Sequence, residues 1–171
     1  GLLSRLEVGL HLVSRCRSRD VRTGYRAGGQ PTMKVATTVG YSGRSLADKL
    51  GMKPDSRVVA LDAPPEYRSL LEPLPHGLVF EERPGKMTDL VHLFVFERAT
   101  LAAAVAGLRR KLRPETPVWV SWPKKSSKVP TTITEDVIRE VALPLGFVDI
   151  KVCAVSEVWS GLKLVVRKEL R

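Results

Sequence analysis

From Gly40 onward, apolar positions fall into short runs separated by turn residues, and their spacing alternates between the strand and helix periods. Ser45 is placed to cap a short helix, Leu46–Leu50, that Gly51 ends. Residues 57–61 form a strand built on the β-branched pair Val58 and Val59. Residues 65–71 read as a helix with Pro65 at its start and Glu66 in its first turn. A short strand, 78–81, follows the Pro75-His76-Gly77 turn, and the long apolar run 89–96 marks a strand buried on both faces.

The clearest helix is 98–112, where Leu101, Val105, Leu108 and Leu112 share one stripe and Arg109, Arg110 and Arg113 point away from it. Residues 117–122 are another buried strand. Thr132 and Glu135 have the spacing of a capping box, which opens a helix that Pro144 and Gly146 stop. Residues 148–155 and 162–167 are two strands joined by 156–161, too short a link for a helical crossover, so they pair as an antiparallel hairpin. Alternating strands and helices predict a small doubly wound α/β domain, mostly parallel, closed by that hairpin.

The first 32 residues differ in kind. After Leu2, Leu3, Leu6, Leu10 and Val13 they are rich in Arg, Ser and Gly, with six arginines opposed only by Glu7 and Asp20. Residues 1–38 are expected to be a disordered or non-native extension with Met33 as the natural start, and 39–171 a single domain. At 43% hydrophobic, the chain has enough apolar material for a core. It holds no apolar run of the ~18–20 residues that a membrane-spanning helix needs, so a soluble, cytoplasmic protein is expected. Cys16 and Cys153 make no disulfide framework, and three scattered histidines make no metal site. The net charge of +10 is compatible with an ordinary basic domain.

Several segments carry a resemblance. The stretch Leu50-Gly51-Met52-Lys53-Pro54-Asp55-Ser56-Arg57-Val58-Val59-Ala60-Leu61-Asp62-Ala63-Pro64 resembles the approach to the first strand of Rossmann-like S-adenosylmethionine (SAM) methyltransferases. Residues 108–124 resemble their late helix–turn–strand segment, and 146–168 their terminal hairpin. More narrowly, Gly40-Tyr41-Ser42-Gly43, Val120-Ser121-Trp122-Pro123-Lys124-Lys125 and Trp159-Ser160-Gly161-Leu162-Lys163 are similar to a family of small bacterial proteins of unknown function. The resemblance spans residues 39–171 and implies a methyltransferase-like Rossmann sheet; the narrower family implies no activity.

Open α/β sheets bind ligands beyond the carboxyl ends of their strands. That rim is expected to hold Asp62 at the end of the first strand, Glu97 and Arg98 after the third, Trp122, Lys124, Lys125 and Lys128 after the fourth, and Trp159 in the hairpin loop. Tyr41 and Ser42, between two glycines, are placed to fold over it. The turn after the first strand, Leu61-Asp62-Ala63-Pro64-Pro65-Glu66, has no glycine to let a ligand approach the backbone, and its prolines remove two N–H donors. Glu66 adds negative charge where a phosphate would otherwise sit. A dinucleotide is therefore strongly disfavoured, and so is SAM binding in its ordinary form. Against this, Glu81 lies 19 positions after Asp62, near the ~20-residue offset of ribose-binding acids, which makes Asp62 and Glu81 the candidate cofactor residues. The three lysines of 124–128 suit an anion. His92 reads as a hydrogen-bonded core histidine and Cys153 as a buried small hydrophobe.

The expectation is a non-enzymatic bacterial protein with a degenerate site and no cofactor, binding an anionic small molecule or a partner protein. The alternatives are a SAM-dependent methyltransferase with an atypical cofactor site and a basic nucleic-acid accessory protein, the latter disfavoured because the sequence has neither aromatic interleaving nor a recognition-helix motif. No metal is expected.

Overall fold

The computed structural model describes residues 43–171. The N-terminal extension, its proposed start at Met33, and the lid residues Tyr41 and Ser42 lie outside the described residues.

Six strands form one sheet: β1 (Arg57–Leu61), β2 (Val79–Glu81), β3 (Leu90–Phe94), β4 (Val118–Pro123), β5 (Phe147–Ala154) and β6 (Trp159–Val166), in the order β2-β1-β3-β4-β6-β5. Strands β1 to β4 are mutually parallel. β6 inserts antiparallel between β4 and β5, so β5 runs with the parallel set. This is the expected doubly wound architecture with its C-terminal antiparallel pair. The chain turns back across the sheet after β2, which puts the change of direction between β1 and β3.

Strand alternation divides the core into two layers. Val58, Leu90, Phe94 and Trp119 face α1 (Leu46–Leu50) and α2 (Tyr67–Leu71). Val59, Val91, Leu93, Val118 and Val120 face α3 (Arg98–Lys111) and α4 (Glu135–Ala142). Every residue of β3 is buried, as its unbroken apolar run requires. Trp119, fully buried, donates its indole N–H to the Leu50 carbonyl at 2.8 Å and so ties the end of α1 to the sheet.

Several predicted boundaries shift for physical reasons. α1 is capped by Ser45 and closed by Gly51 in the left-handed conformation, as expected. α2 starts at Tyr67, because Pro64 and Pro65 occupy the preceding turn and the Pro64 carbonyl accepts from Tyr67 N–H. The cap of α4 is Thr134, whose hydroxyl accepts from Val137 N–H at 3.2 Å; the Thr132–Glu135 capping box does not form. Thr132 instead accepts from Arg98 N–H at 2.8 Å, serving the start of α3. The hairpin is tighter than its sequence suggests: Trp159 is already in β6, opposite Pro123, and does not sit in the connecting loop. No helix among the described residues is long and apolar enough to cross a membrane.

Candidate functional site

Two regions of the carboxyl rim hold the residues singled out by the sequence. The first is a cavity of about 410 Å³ beyond β1 and β2. Ala60, Ala63, Pro64, Pro65, Tyr67 and Phe80 line it together with the charged side chains of Asp62, Arg68 and Glu81, and the exposed lining is more polar than apolar. The volume falls in the range of small-molecule sites, ~300–1,000 Å³, and the few polar groups converge on one opening.

Asp62 takes φ +53°, the left-handed region that glycine usually fills. Aspartate is among the few residues that tolerate it. The sequence had no glycine to make this bend, and the bend is made by the acid itself. Its carboxylate is exposed and forms no ion pair with any described residue. Glu81 shares the cavity, but its oxygens have partners: Oε1 lies 3.3 Å from Arg57 Nε, and Oε2 accepts from Thr88 Oγ1 at 3.0 Å. Each carboxylate oxygen has two acceptor positions, so one on each is still open. Arg68 stacks over Phe80, 4.4 Å from the ring centroid, and covers one wall.

Behind the cavity runs a buried polar chain. Tyr67 Oη is 2.6 Å from His92 Nδ1, and His92 Nε2 is 2.7 Å from Ser121 Oγ. His92 and Ser121 are wholly inaccessible and Tyr67 nearly so. Burial lowers the His92 pKa to about 3, so the ring is neutral, donating through one nitrogen and accepting at the other. Burial also pushes the Tyr67 phenol above its usual range, which keeps its proton. His92 is thus the hydrogen-bonded core histidine the sequence implied. Its place in register with Ala60 sets it directly behind the cavity wall.

The second region is the loop after β4. Lys124, placed on the rim as an anion ligand, donates its ammonium to the Ser156 carbonyl at 2.6 Å, and its N–H bonds the Val158 carbonyl at 2.8 Å. It clamps this loop to the β5–β6 turn. Trp122 is only 7% exposed and belongs to the α3–α4 core layer, so it presents little to a ligand. Lys125 begins a single helical turn, and Lys128 ends it at φ +57°; both are exposed. Glu97 precedes α3 without capping it through its side chain, and Arg98 pairs with Glu140. Trp159 is buried against Phe94, and Phe96, at the start of the rim segment 96–98, meets it edge-on at 5.2 Å while remaining half-exposed. The structure brings Asp62 and Glu81 together on one cavity. The lysines stand apart from it.

Tyr67, Arg68 and Phe80 were missed as lining residues. The one local signal was that Phe80 immediately precedes Glu81 on a three-residue strand. Cys153 is nearly buried, and burial raises its thiol pKa, as befits a packing residue. No cluster of three or more metal-ligating side chains occurs among the described residues.

No family model matches the chain, and no curated protein matches it. Solved structures do. It is similar to the ribosomal protein L11 methylase of Lactobacillus delbrueckii subsp. bulgaricus (13% identity, TM-score 0.44, covering 71% of this chain and 75% of that one). It is also similar to magnesium protoporphyrin IX methyltransferase from Synechocystis PCC 6803 with bound SAM (14%, 0.46, 71% and 74%). A third is LepI in complex with SAM (13%, 0.44), of which this chain spans 39%. The expectation of a non-enzymatic protein binding an anion or a partner through a degenerate site is corrected by these neighbours. Named methylating enzymes and structures holding SAM are among the chains it resembles. At such identities the likeness speaks for the fold, and the chemistry is argued from the site.

Proposed function

We propose that the chain is a SAM-dependent methyltransferase with an atypical cofactor site in the cavity beyond β1 and β2. The observation that carries this reading is a cavity of about 410 Å³ lined by both acids, Asp62 and Glu81, together with Phe80, Tyr67 and the two prolines. Two of the features that disfavour a dinucleotide do not count against this cofactor. Missing N–H donors at Pro64 and Pro65, and the negative charge of Glu66 at the helix start, penalise a phosphate. SAM has no phosphate; it carries a sulfonium, an ammonium and one carboxylate, a net cation for which an acidic mouth is favourable.

In this reading Asp62 faces the positive charge and Glu81, oriented by Arg57 and Thr88, accepts from the ribose hydroxyls through its open positions. Phe80, Pro64 and Pro65 bury the base and exclude water. Tyr67, fixed from behind by His92, keeps the wall in place. When bound, SAM supplies an electrophilic methyl group whose leaving group is a neutral thioether.

Calorimetric titration of SAM and its demethylated product into the full chain tests the proposal. Saturable micromolar binding, with ATP giving none, is the expected result. Absence of heat from both ligands with folded protein would overturn it.

A further inference from the structure

A second feature lies on the opposite flank of the sheet. Lys151 on β5 and Lys163 on β6 are direct partners in the strand register. Their row continues through Trp119 and His92 to Ala60 at the cavity wall. Both ammonium groups reach the end of α1. Lys151 Nζ donates to the Lys49 carbonyl at 3.0 Å, and Lys163 Nζ lies 6.0 Å from the Trp119 ring centroid and 3.6 Å from where a side chain on Gly51 would begin. Lys49 and Lys53 flank the same helix end. Burial, Lys151 and Lys53 together lower the Lys163 pKa, in keeping with this crowding.

Like charges directly opposite on neighbouring strands are destabilising. A five-residue helix end offers at most about half a negative charge to offset four lysines. No carboxylate does so either: every ion pair among the described residues uses Arg or His. The protein's own ion pairs are made by arginine and histidine, and this flank carries lysine point charges, which bind phosphates without needing a fixed fork geometry.

We infer that Lys49, Lys53, Lys151 and Lys163 form a docking surface for the phosphate backbone of a nucleic acid. The surface goes beyond the cofactor reading and stands independently of it.

The test is fluorescence anisotropy of a labelled 20-nucleotide oligouridine RNA with the full chain, from 50 to 200 mM salt. The double variant Lys151→Ala/Lys163→Ala should bind at least tenfold more weakly at 100 mM salt. Its log–log salt slope should flatten by about 1.4, or ~0.7 per lost phosphate contact. Lys49→Ala/Lys53→Ala should behave alike and does not disturb the packing on Trp119. Arg110→Ala/Lys111→Ala, exposed on α3 across the sheet, removes the same charge and should change affinity less than twofold. Equal losses in patch and control variants, no saturable RNA binding, or competition by polyglutamate as effective as by unlabelled RNA would each overturn the inference. Titration of SAM into the same variants separates the two proposals. RNA binding without SAM binding fails the cofactor site alone, and SAM binding without RNA binding fails the patch alone.

Discussion

The two loops of the carboxyl rim make opposite use of their residues. The loop after β4 is rich in groups that look chemical, but Lys124 is spent on the Ser156 carbonyl and Trp122 on the core. The turn after β1 is made of Ala, Pro and acid, and it walls a cavity. Both bend through a non-glycine residue in the left-handed region, Asp62 at φ +53° and Lys128 at φ +57°. The contrast teaches that a reactive side chain in a loop marks a site only when the fold aims it at a space. Inert ones build a site when tertiary packing turns them toward a space.

Three experiments break or sharpen that contrast. The largest effect comes from the polar chain behind the cavity. The His92 pKa is lowered from 6.5 to about 3 in the folded state, so below pH 6.5 the unfolded chain takes up a proton that the native state refuses. Stability from this group is complete above pH 6.5 and is lost as the pH falls towards 3. Between pH 7 and pH 4 the loss is about 3 kcal/mol. Urea unfolding at both values should show His92→Gln with a correspondingly smaller pH dependence, whatever its starting stability. An unchanged dependence would remove His92 as its source.

The second experiment compares the loops directly. Asp62→Asn keeps a residue that tolerates the left-handed bend but removes the charge. It should weaken SAM binding at least tenfold, about 1.4 kcal/mol. Lys124→Ala should leave SAM affinity within twofold and cost about 1 kcal/mol of stability through the lost clamp. Reversed effects would return the site to the β4 loop.

The smallest effect tests the shared bend. Lys128→Gly should gain up to about 1 kcal/mol in thermal unfolding by relieving the left-handed strain. Asp62→Gly should gain as much while losing the cofactor. A loss of stability at either position would mean that its side chain makes contacts worth more than the strain.

Much of the fold was legible because its signals are local. Val58 and Val59, the unbroken 89–96 run, and the stripe of Leu101, Val105 and Leu108 each declare an element within a few residues. What failed depended on distant partners. Thr132 has perfect spacing to Glu135, but the N–H it accepts belongs to Arg98, 34 positions away. Thr134 takes the cap instead. The cavity was half legible: Asp62 and Glu81 stood out as acids at strand ends. Tyr67 and Phe80 became walls only when α2 folded back over β1 and β2, and no periodicity announces that. The lysines of 124–128 looked available because a carbonyl acceptor 32 residues downstream cannot be read from the loop itself.

The insertion of β6 also sets a timetable for biosynthesis. β4 and β5 are not neighbours in the sheet; β4 pairs with β3 on one side and β6 on the other, and β5 pairs with β6, which follows both in the chain. Until Val166 has emerged, two strand edges stay open, and one of them, β4, is buried along its whole length in the finished protein. The nascent chain must carry that apolar edge unpaired while residues 124–166 are made, and the pairing of β6 then converts it to sheet interior.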